Sequence, residues 1–376
     1  MLHKMQRLGY YIYEHPQWPD FYWDAEELLN LLSEARNLQG RLMGRMESLG
    51  FDLQNQAQLD ALTLDVLKTS EIEGEKLHSG QVRSSVARKL GMEYAGMMDS
   101  DRHVDGVVEM MLDATRHCFE PLTAERLFDW HAALFPTGRS GMYKITVAYW
   151  RQDGAGPMQV VSGPMGKEKV HFQAPDCNKV PELMQQFLEW FNKQTALDPV
   201  MKAALAHFWF VTVHPFDDGN GRIARALADM LLARADQSNQ RFYSMSAQIR
   251  KERKRYYAVL EKTQKGGLDI TEWMHWFLSC LVNALKATDV TLQGVTDKAN
   301  FWKYHANTEL NDRQRKMVNK LLDGLHGKLS SSKWAKMTKC SRDTAIRDIN
   351  DLLEKGVLQK EAAGGRSTHY ELMKPV

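Results

Sequence analysis

Cysteine is scarce: Cys118, Cys177, Cys280 and Cys340 are scattered through 376 residues with no Cys-x-x-Cys and no paired spacing. That excludes a disulfide framework and fits a reducing, cytoplasmic setting. No apolar run reaches the roughly 20 residues that cross a bilayer. The longest, around Ala203 to Val213, reads as a buried helix, so no membrane partner is expected. The N-terminus (MLHKMQRLGYYIYEHPQWPDF) has aromatics and prolines where a secretory signal carries an apolar core. Internal repeats and low-complexity tracts are missing, which excludes a solenoid. Neither sign of charge dominates, since the formal net charge is +2. With 43% hydrophobic residues, the chain has material for two or three packed domains.

What is present is concentrated. His214-Pro215-Phe216-Asp217-Asp218-Gly219-Asn220-Gly221-Arg222, followed by Arg225, puts a base, carboxylates, an amide, two glycines and two guanidiniums into one loop. Pro215 ends the apolar helix predicted over Met201–Val213, because proline cannot donate to a helix and biases its predecessor away from helical geometry. Helical periodicity resumes from Arg222 to Arg234, with Ile223, Leu227, Met230 and Leu231 as its apolar stripe. Gly219 and Gly221 permit the turn and a close backbone approach to a ligand. The free amides and the dipole at the start of the second helix make an anion site. Arg222 and Arg225, three apart, can reach one anion. Asp218 is placed to hold Mg²⁺, which favours a few carboxylates together with phosphate oxygens. His214, with an ordinary pKa of about 6.5, is a candidate general base. The set can hold a nucleoside triphosphate on a metal and attack its phosphorus. A plain Asp/Gly/Asn turn needs neither the histidine nor the arginines. A calcium loop would need later ligands and a closing glutamate that are missing.

This stretch resembles, without departure, the signature of the Fic family, His-Pro-Phe-x-(Asp/Glu)-Gly-Asn-Gly-Arg-x-x-Arg. The resemblance implies a mainly α fold with a helical Fic core, and transfer of AMP from ATP to Ser, Thr or Tyr hydroxyls of a target protein and of the chain itself. It implies His214 as the base for the target hydroxyl and Asp218 as the Mg²⁺ ligand. Asn220 and the amides around Gly219 and Gly221 would stabilise phosphate oxygens. Arg222 would grip the outer phosphates, Arg225 the terminal one, and Phe216 would anchor the loop in the core. Gly221 and Arg222 stand where the related kinase branch has a lysine-containing version.

Thr69-Ser70-Glu71-Ile72-Glu73-Gly74 resembles the inhibitory motif of the same family, (Ser/Thr)-x-x-x-Glu-(Gly/Asn). By itself a threonine and a glutamate four apart on a helix make a solvated pair. Beside the signature, the resemblance implies that Glu73 pairs with Arg225 and draws it from the γ-phosphate, one carboxylate competing with phosphate for one guanidinium. It implies the autoinhibited class with an N-terminal inhibitory helix, some of whose members use this glutamate to remove AMP from modified targets.

Met158–Gly163 and Lys169–Gln173 read as short strands around a Pro164-Met165-Gly166 turn, hence a hairpin in an otherwise helical chain. Isolated hairpins are marginal unless something pairs with them. In the family such a flap (residues 158–173) holds the target segment by strand addition, with Val161 near the adenosine. In related proteins a paired-tyrosine segment lines the adenine pocket, so Tyr257, of the Tyr256-Tyr257 pair, and Gln264 are its candidates here. His131 and His207 sit in apolar surroundings and read as packed, satisfied residues; His171 lies on the flap, where it can face the target.

Residues 1–110 form an N-terminal helical region, with apolar spacing over Ala25–Leu49 and Leu59–Ile72, and 111–290 the helical core. Trp18-Pro19-Asp20-Phe21, the Glu73 stretch and Val82–Val86 together resemble an N-terminal domain of bacterial Fic proteins. Residues 300–376 differ. A helix from Leu310 to about Leu325, a short one near Lys333–Met337, and one over Arg342–Glu354 capped by Ser341 precede strands at Val357-Leu358 and Tyr370–Leu372. Ile346, Ile349, Leu352 and Leu353 are predicted to face inward. The order resembles a winged helix-turn-helix, and residues 310–376 carry 14 Lys and Arg against 8 Asp and Glu. DNA contact through residues 341–372 follows as an expectation, with Arg342, Thr344 and Arg347 reading the major groove and Arg366 on the wing. Asp343, Asp348 and Asp351 weaken that surface, and winged helices also serve as protein-interaction modules. Three readings stay open: an autoinhibited adenylyltransferase, a DNA-binding regulator that senses nucleotide, and a Fic enzyme with another nucleotide donor. Self-association as a homodimer is expected by analogy with similar proteins.

Overall fold

A computed structural model describes residues 11–92, 96–152, 156–164, 167–322, 325, 328–361 and 369–373. Contacts group the chain into two units, residues 1–286 and 287–376.

The first unit opens with α1 (Ala25–Ser48), α2 (Phe51–Ile72), α3 (Ser79–Leu90), α4 (Arg102–Arg116) and α5 (Ala124–Leu134). Two strand pairs follow, β1 (Arg139–Ser140) with β2 (Tyr143–Lys144), and β3 (Gln159–Ser162) with β4 (Lys169–Gln173). Then come α6 (Val180–Asn192), α7 (Pro199–Val213), α8 (Asn220–Asp236), α9 (Met245–Lys251), α10 (Arg253–Gln264) and α11 (Thr271–Tyr304), whose last residues belong to the second unit. Side-chain oxygens of Asp24, Asp101, Thr123, Asp198 and Ser244 accept first-turn amides and so set helix starts, each contributing about 1 kcal/mol. α2 begins eight residues before the predicted Leu59, because Gln54, Asn55 and Gln56 carry no apolar signal although they are helical.

α7 is apolar all round, and every residue from Val200 to Val213 is buried, as expected of a helix at the centre of a core. α8 packs against it after the His214–Gly219 turn. Around this pair α4 packs on α8 and α5, while α2 packs on α3, α8 and α9. The N-terminal helical region therefore shares one unit with the predicted core, and the end of α2 lies beside the start of α8.

β3 and β4 form the predicted hairpin; Met165 and Gly166 of its turn lie outside the described residues. Phe172 and Ala174 pack with Tyr11, the Tyr11 and Phe172 rings meeting edge to face at 5.2 Å, so the segment before α1 supports the flap. Among the described residues no helix is long and apolar enough to cross a membrane.

The second unit holds α12 (Asp312–Leu322), α13 (Ser331–Thr338), α14 (Arg342–Glu354), β5 (Leu358–Lys360) and β6 (Tyr370–Leu372). β5 and β6 pair antiparallel, Leu358 opposite Leu372. Trp334, Met317, Ile349, Leu352 and Val357 fill its core. Ser341 caps α14 as predicted, its side chain accepting the Thr344 amide. Ile346, predicted inward, is instead 39% exposed. Ala345 and Asp348 take the inner face, because Asp348 is turned in by Arg313 and Asn311. Arg366 lies outside the described residues.

Candidate functional site

The loop between α7 and α8 is held from four directions. His214 closes α7 in the left-handed region (φ 53°), and its carbonyl accepts a 2.7 Å hydrogen bond from Arg151 Nε. Phe216 is fully buried and stacks on the His131 ring at 4.2 Å. Asn220 Oδ1 accepts the Phe216 amide at 2.9 Å and its Nδ2 donates to the Phe216 carbonyl at 2.8 Å. Asp217 accepts the Thr146 amide at 2.8 Å. Gly219 (φ 81°) caps α8, and a Cβ there would meet the Phe135 ring at 2.9 Å.

His214 lines a cavity of about 570 Å³ together with Gly221, Glu73, Val161, Tyr257 and Gln264. Its Nδ1 lies 3.2 Å from the Val211 carbonyl. That oxygen only accepts, so Nδ1 carries the proton and Nε2 presents its lone pair. Burial pushes the imidazole down to about 4; Arg151 adds to this, while Val211, Asp218 and Glu73 oppose it. His214 is thus a neutral base at neutral pH.

Arg225 is 1% exposed and tied to the end of α2. Its Nε donates to Thr69 Oγ1 at 2.7 Å, and its Nη2 to the Thr69 carbonyl at 3.0 Å and to Glu73 Oε1 at 2.7 Å. The Glu73–Arg225 pair implied by the motif is therefore present, and Thr69 acts through both its hydroxyl and its carbonyl. A Cβ on Gly221 would lie 2.3 Å from Glu73 Oε1. A side chain at Gly221 would therefore have to displace the Glu73 carboxylate from its place beside Arg225.

Glu75 was not legible as a site residue. Its Oε2 accepts from Arg222 Nη1 at 3.1 Å, and its Oε1 lies 2.6 Å from His103 Nε2. Gly74 (φ 88°) turns the chain between the two acids, so that each faces one arginine of the loop. Burial alone would raise the Glu75 carboxyl, but His103 and Arg222 hold it below the usual carboxylate range. The Glu75 bond in turn raises His103 above its ordinary value. Arg222 also lies over the Phe135 ring at 5.0 Å. A second glutamate two residues after the first, across a glycine, is a local hint, but it does not announce Arg222 as the partner.

Other predicted residues divide. Val161 is half exposed on the flap, and Tyr257 sits over the cavity with its hydroxyl 3.4 Å from the Ile72 carbonyl. Gln264 is buried, donating to Thr212 at 3.2 Å. The Asn220 carboxamide corrects the expectation that it faces phosphate. It is 2% exposed and spent on the Phe216 backbone, which leaves the α8 amides for an anion. His131 does more than pack: its Nε2 donates to the Asp218 carbonyl at 3.2 Å, and its Nδ1 accepts the Ala148 amide. His207, expected to be satisfied, bonds Tyr256 through Nε2 but leaves Nδ1 without a partner among the described residues. His171 turns to Ser162 and Glu261.

Among the described residues no group of three His, Cys, Asp or Glu side chains could hold a metal. Asp218 stands alone, one oxygen accepting the Gly219 amide at 2.6 Å and the other the Ser140 hydroxyl. One carboxylate with spare lone pairs suits Mg²⁺, which takes one or two carboxylates and fills its shell with phosphate oxygens and water. Arg222 Nε and Arg225 Nη1 are buried donors without a good hydrogen-bond partner among the described residues. Such orphaned donors fit a phosphate.

Residues 121–232 match the model of the Fic/DOC family. The chain carries a Fic/DOC domain. Residues 11–92, ahead of the Fic/DOC domain, match a domain of unknown function (DUF4172). Protein adenylyltransferase Fic of Drosophila willistoni is 37% identical over 113 residues, 30% of this chain and 21% of the relative. The Drosophila melanogaster protein of the same name is 37% identical over 105 residues, 27% and 20%. The chain thus spans about a fifth of the length of these curated relatives. A Fic family protein from Desulfovibrio desulfuricans G20 shares the fold, with a TM-score of 0.53 at 20% identity over 94% of this chain and 98% of that one.

Proposed function

We propose that the chain transfers AMP from ATP to a Ser, Thr or Tyr hydroxyl of a target protein, and that Glu73 restrains this transfer. The observation that carries the reading is His214 at the cavity, its Nε2 without a hydrogen-bond partner among the described residues, beside the start of α8 and two arginines paired with acids. The acceptor oxygen attacks the α-phosphorus and its proton passes to His214 Nε2. The bond to the bridging oxygen breaks and pyrophosphate leaves. Most of the gain is positioning and charge stabilisation. The amides of Gly221 and Arg222 face developing phosphate charge, while Arg222 and Arg225 take the outer phosphates once released. Asp218 would hold Mg²⁺, which supplies neutralising charge to the phosphates. The flap, residues 158–173, would hold the target segment, and the Val161–Tyr257–Gln264 wall the base.

Intact-protein mass spectrometry tests this on wild type, Glu73→Gly and Glu73→Gly/His214→Ala, after incubation with ATP, Mg²⁺ and a lysate. An AMP-sized gain on lysate proteins, confined to incubation with the Glu73→Gly single variant, supports it. No gain with ATP still bound favours another donor or nucleotide sensing. Loss of AMP from a pre-modified target in wild type would assign removal to the same site.

DNA binding by the second unit is a second reading. Arg342 and Arg347 are exposed on α14, while Asp348, which counted against that surface, is buried against Arg313. A filter-binding assay in which Arg342→Ala/Arg347→Ala retains full affinity for duplex DNA would sink it.

A further inference from the structure

The flap carries a second base that the AMP-transfer reading does not use. Val160 pairs with Phe172, but Val161 pairs with Val170, so His171 is the extra residue of a β-bulge. Bulges re-aim side chains and are enriched beside active sites. Here the bulge points His171 at both its neighbours. Its Nε2 lies 2.5 Å from Ser162 Oγ, and its Nδ1 lies 2.6 Å from Glu261 Oε2 on α10. Lys265 pairs with the other Glu261 oxygen at 2.6 Å. Burial by itself would raise the Glu261 carboxyl, but the bonds from Lys265 and His171 hold it below the usual range, so it stays a carboxylate. A carboxylate fixes the Nδ1–H tautomer, leaving Nε2 to accept the serine proton. This is the nucleophile–base–orienter order of an activated hydroxyl. Ser162 is exposed, and all three residues line the cavity that His214 lines.

We propose that Ser162 is a self-modification site: its hydroxyl, activated by His171 and Glu261, accepts AMP from ATP bound in the same cavity. The inference rests on the AMP-transfer reading and adds an acceptor and its base. Ser162 Oγ bonds to the α-phosphorus as its proton moves to His171 Nε2, and the bond to the β-phosphate's bridging oxygen breaks. Pyrophosphate leaves, a serine–AMP phosphodiester remains, and the imidazolium, balanced by Glu261, returns its proton to water. A bulky anion on the flap would then occupy the strand edge where a target segment is to pair.

The tryptic peptide Gln152–Lys167 contains one hydroxyl side chain, that of Ser162. Peptide mapping by mass spectrometry of Glu73→Gly and Glu73→Gln proteins incubated with ATP and Mg²⁺ therefore reads this site directly. The expected result is an AMP-sized gain on that peptide, absent when Ser162→Ala is added. His171→Ala should lower the labelling rate about 100-fold, and added imidazole should restore part of it, which a merely structural role would not allow. AMP found elsewhere on the chain or on lysate proteins, with this peptide unmodified, overturns the proposal alone. AMP found nowhere overturns the AMP-transfer reading with it. Labelling of Ser162 at an unchanged rate in His171→Ala overturns the relay.

Discussion

Replacing Glu73 and Glu75 by glutamine, singly and together, separates the two acids that hold the loop arginines. Arg225 is 1% exposed and keeps its two contacts to Thr69 in either case. Its bond to Glu73 is 2.7 Å long, and the Glu73 side chain is 31% exposed. A charged hydrogen bond contributes about 1.5–3 kcal/mol; screening of the exposed carboxylate reduces this to about 1.5–2 kcal/mol. At about 1.4 kcal/mol per tenfold, Glu73→Gln should raise AMP transfer at limiting ATP about 10- to 30-fold. The Arg222–Glu75 bond is longer, at 3.1 Å, the carboxylate is 37% exposed, and His103 shares it. It is worth about 0.5–1 kcal/mol, or about 2- to 5-fold. The arginines sit one turn apart, so the double variant should approach, but not exceed, the product of the two effects. Single-turnover transfer with labelled ATP at several concentrations measures all three. Removing one partner of a buried charge destabilises the protein, so Glu73→Gln should also melt lower without nucleotide and regain that loss with ATP. An unchanged rate in Glu73→Gln, or a larger effect from Glu75→Gln, would refute the reasoning.

Four other outcomes are expected. His214→Ala should abolish transfer to target proteins while ATP binding by calorimetry persists; loss of binding would make His214 structural. Asn220→Ala removes both bonds to the Phe216 backbone and should cost about 2–3 kcal/mol in urea unfolding; a value near zero would show the loop held without it. Burial depresses His131 and His214 to about 4 and His207 to about 3. Their unfolded forms take up protons below about 6.5 and the folded forms do not, so stability should be full above pH 6.5 and fall steadily toward pH 4. A melting temperature flat over that window contradicts neutral burial of all three. Deleting residues 300–376 should spare self-modification; its loss would tie the tail to the catalytic fold.

The sequence by itself determined the helix–loop–helix around His214, because a proline, two glycines and two apolar periodicities leave the backbone little choice there. It also determined the hairpin, the cap at Ser341, and the register of Thr69 and Glu73, all of which depend on residues near one another in the chain. Helix limits blurred where polar runs such as Gln54–Gln56 give no period. The tertiary structure decided the rest, through partners far apart in sequence. Glu75 meets Arg222 across 147 positions, and Glu261 meets His171 across 90. No local pattern announces such pairs. Asn220 shows the same limit from the other side: its type suits phosphate or backbone equally, and only the folded loop, with the Phe216 amide and carbonyl both within reach, commits it to the backbone.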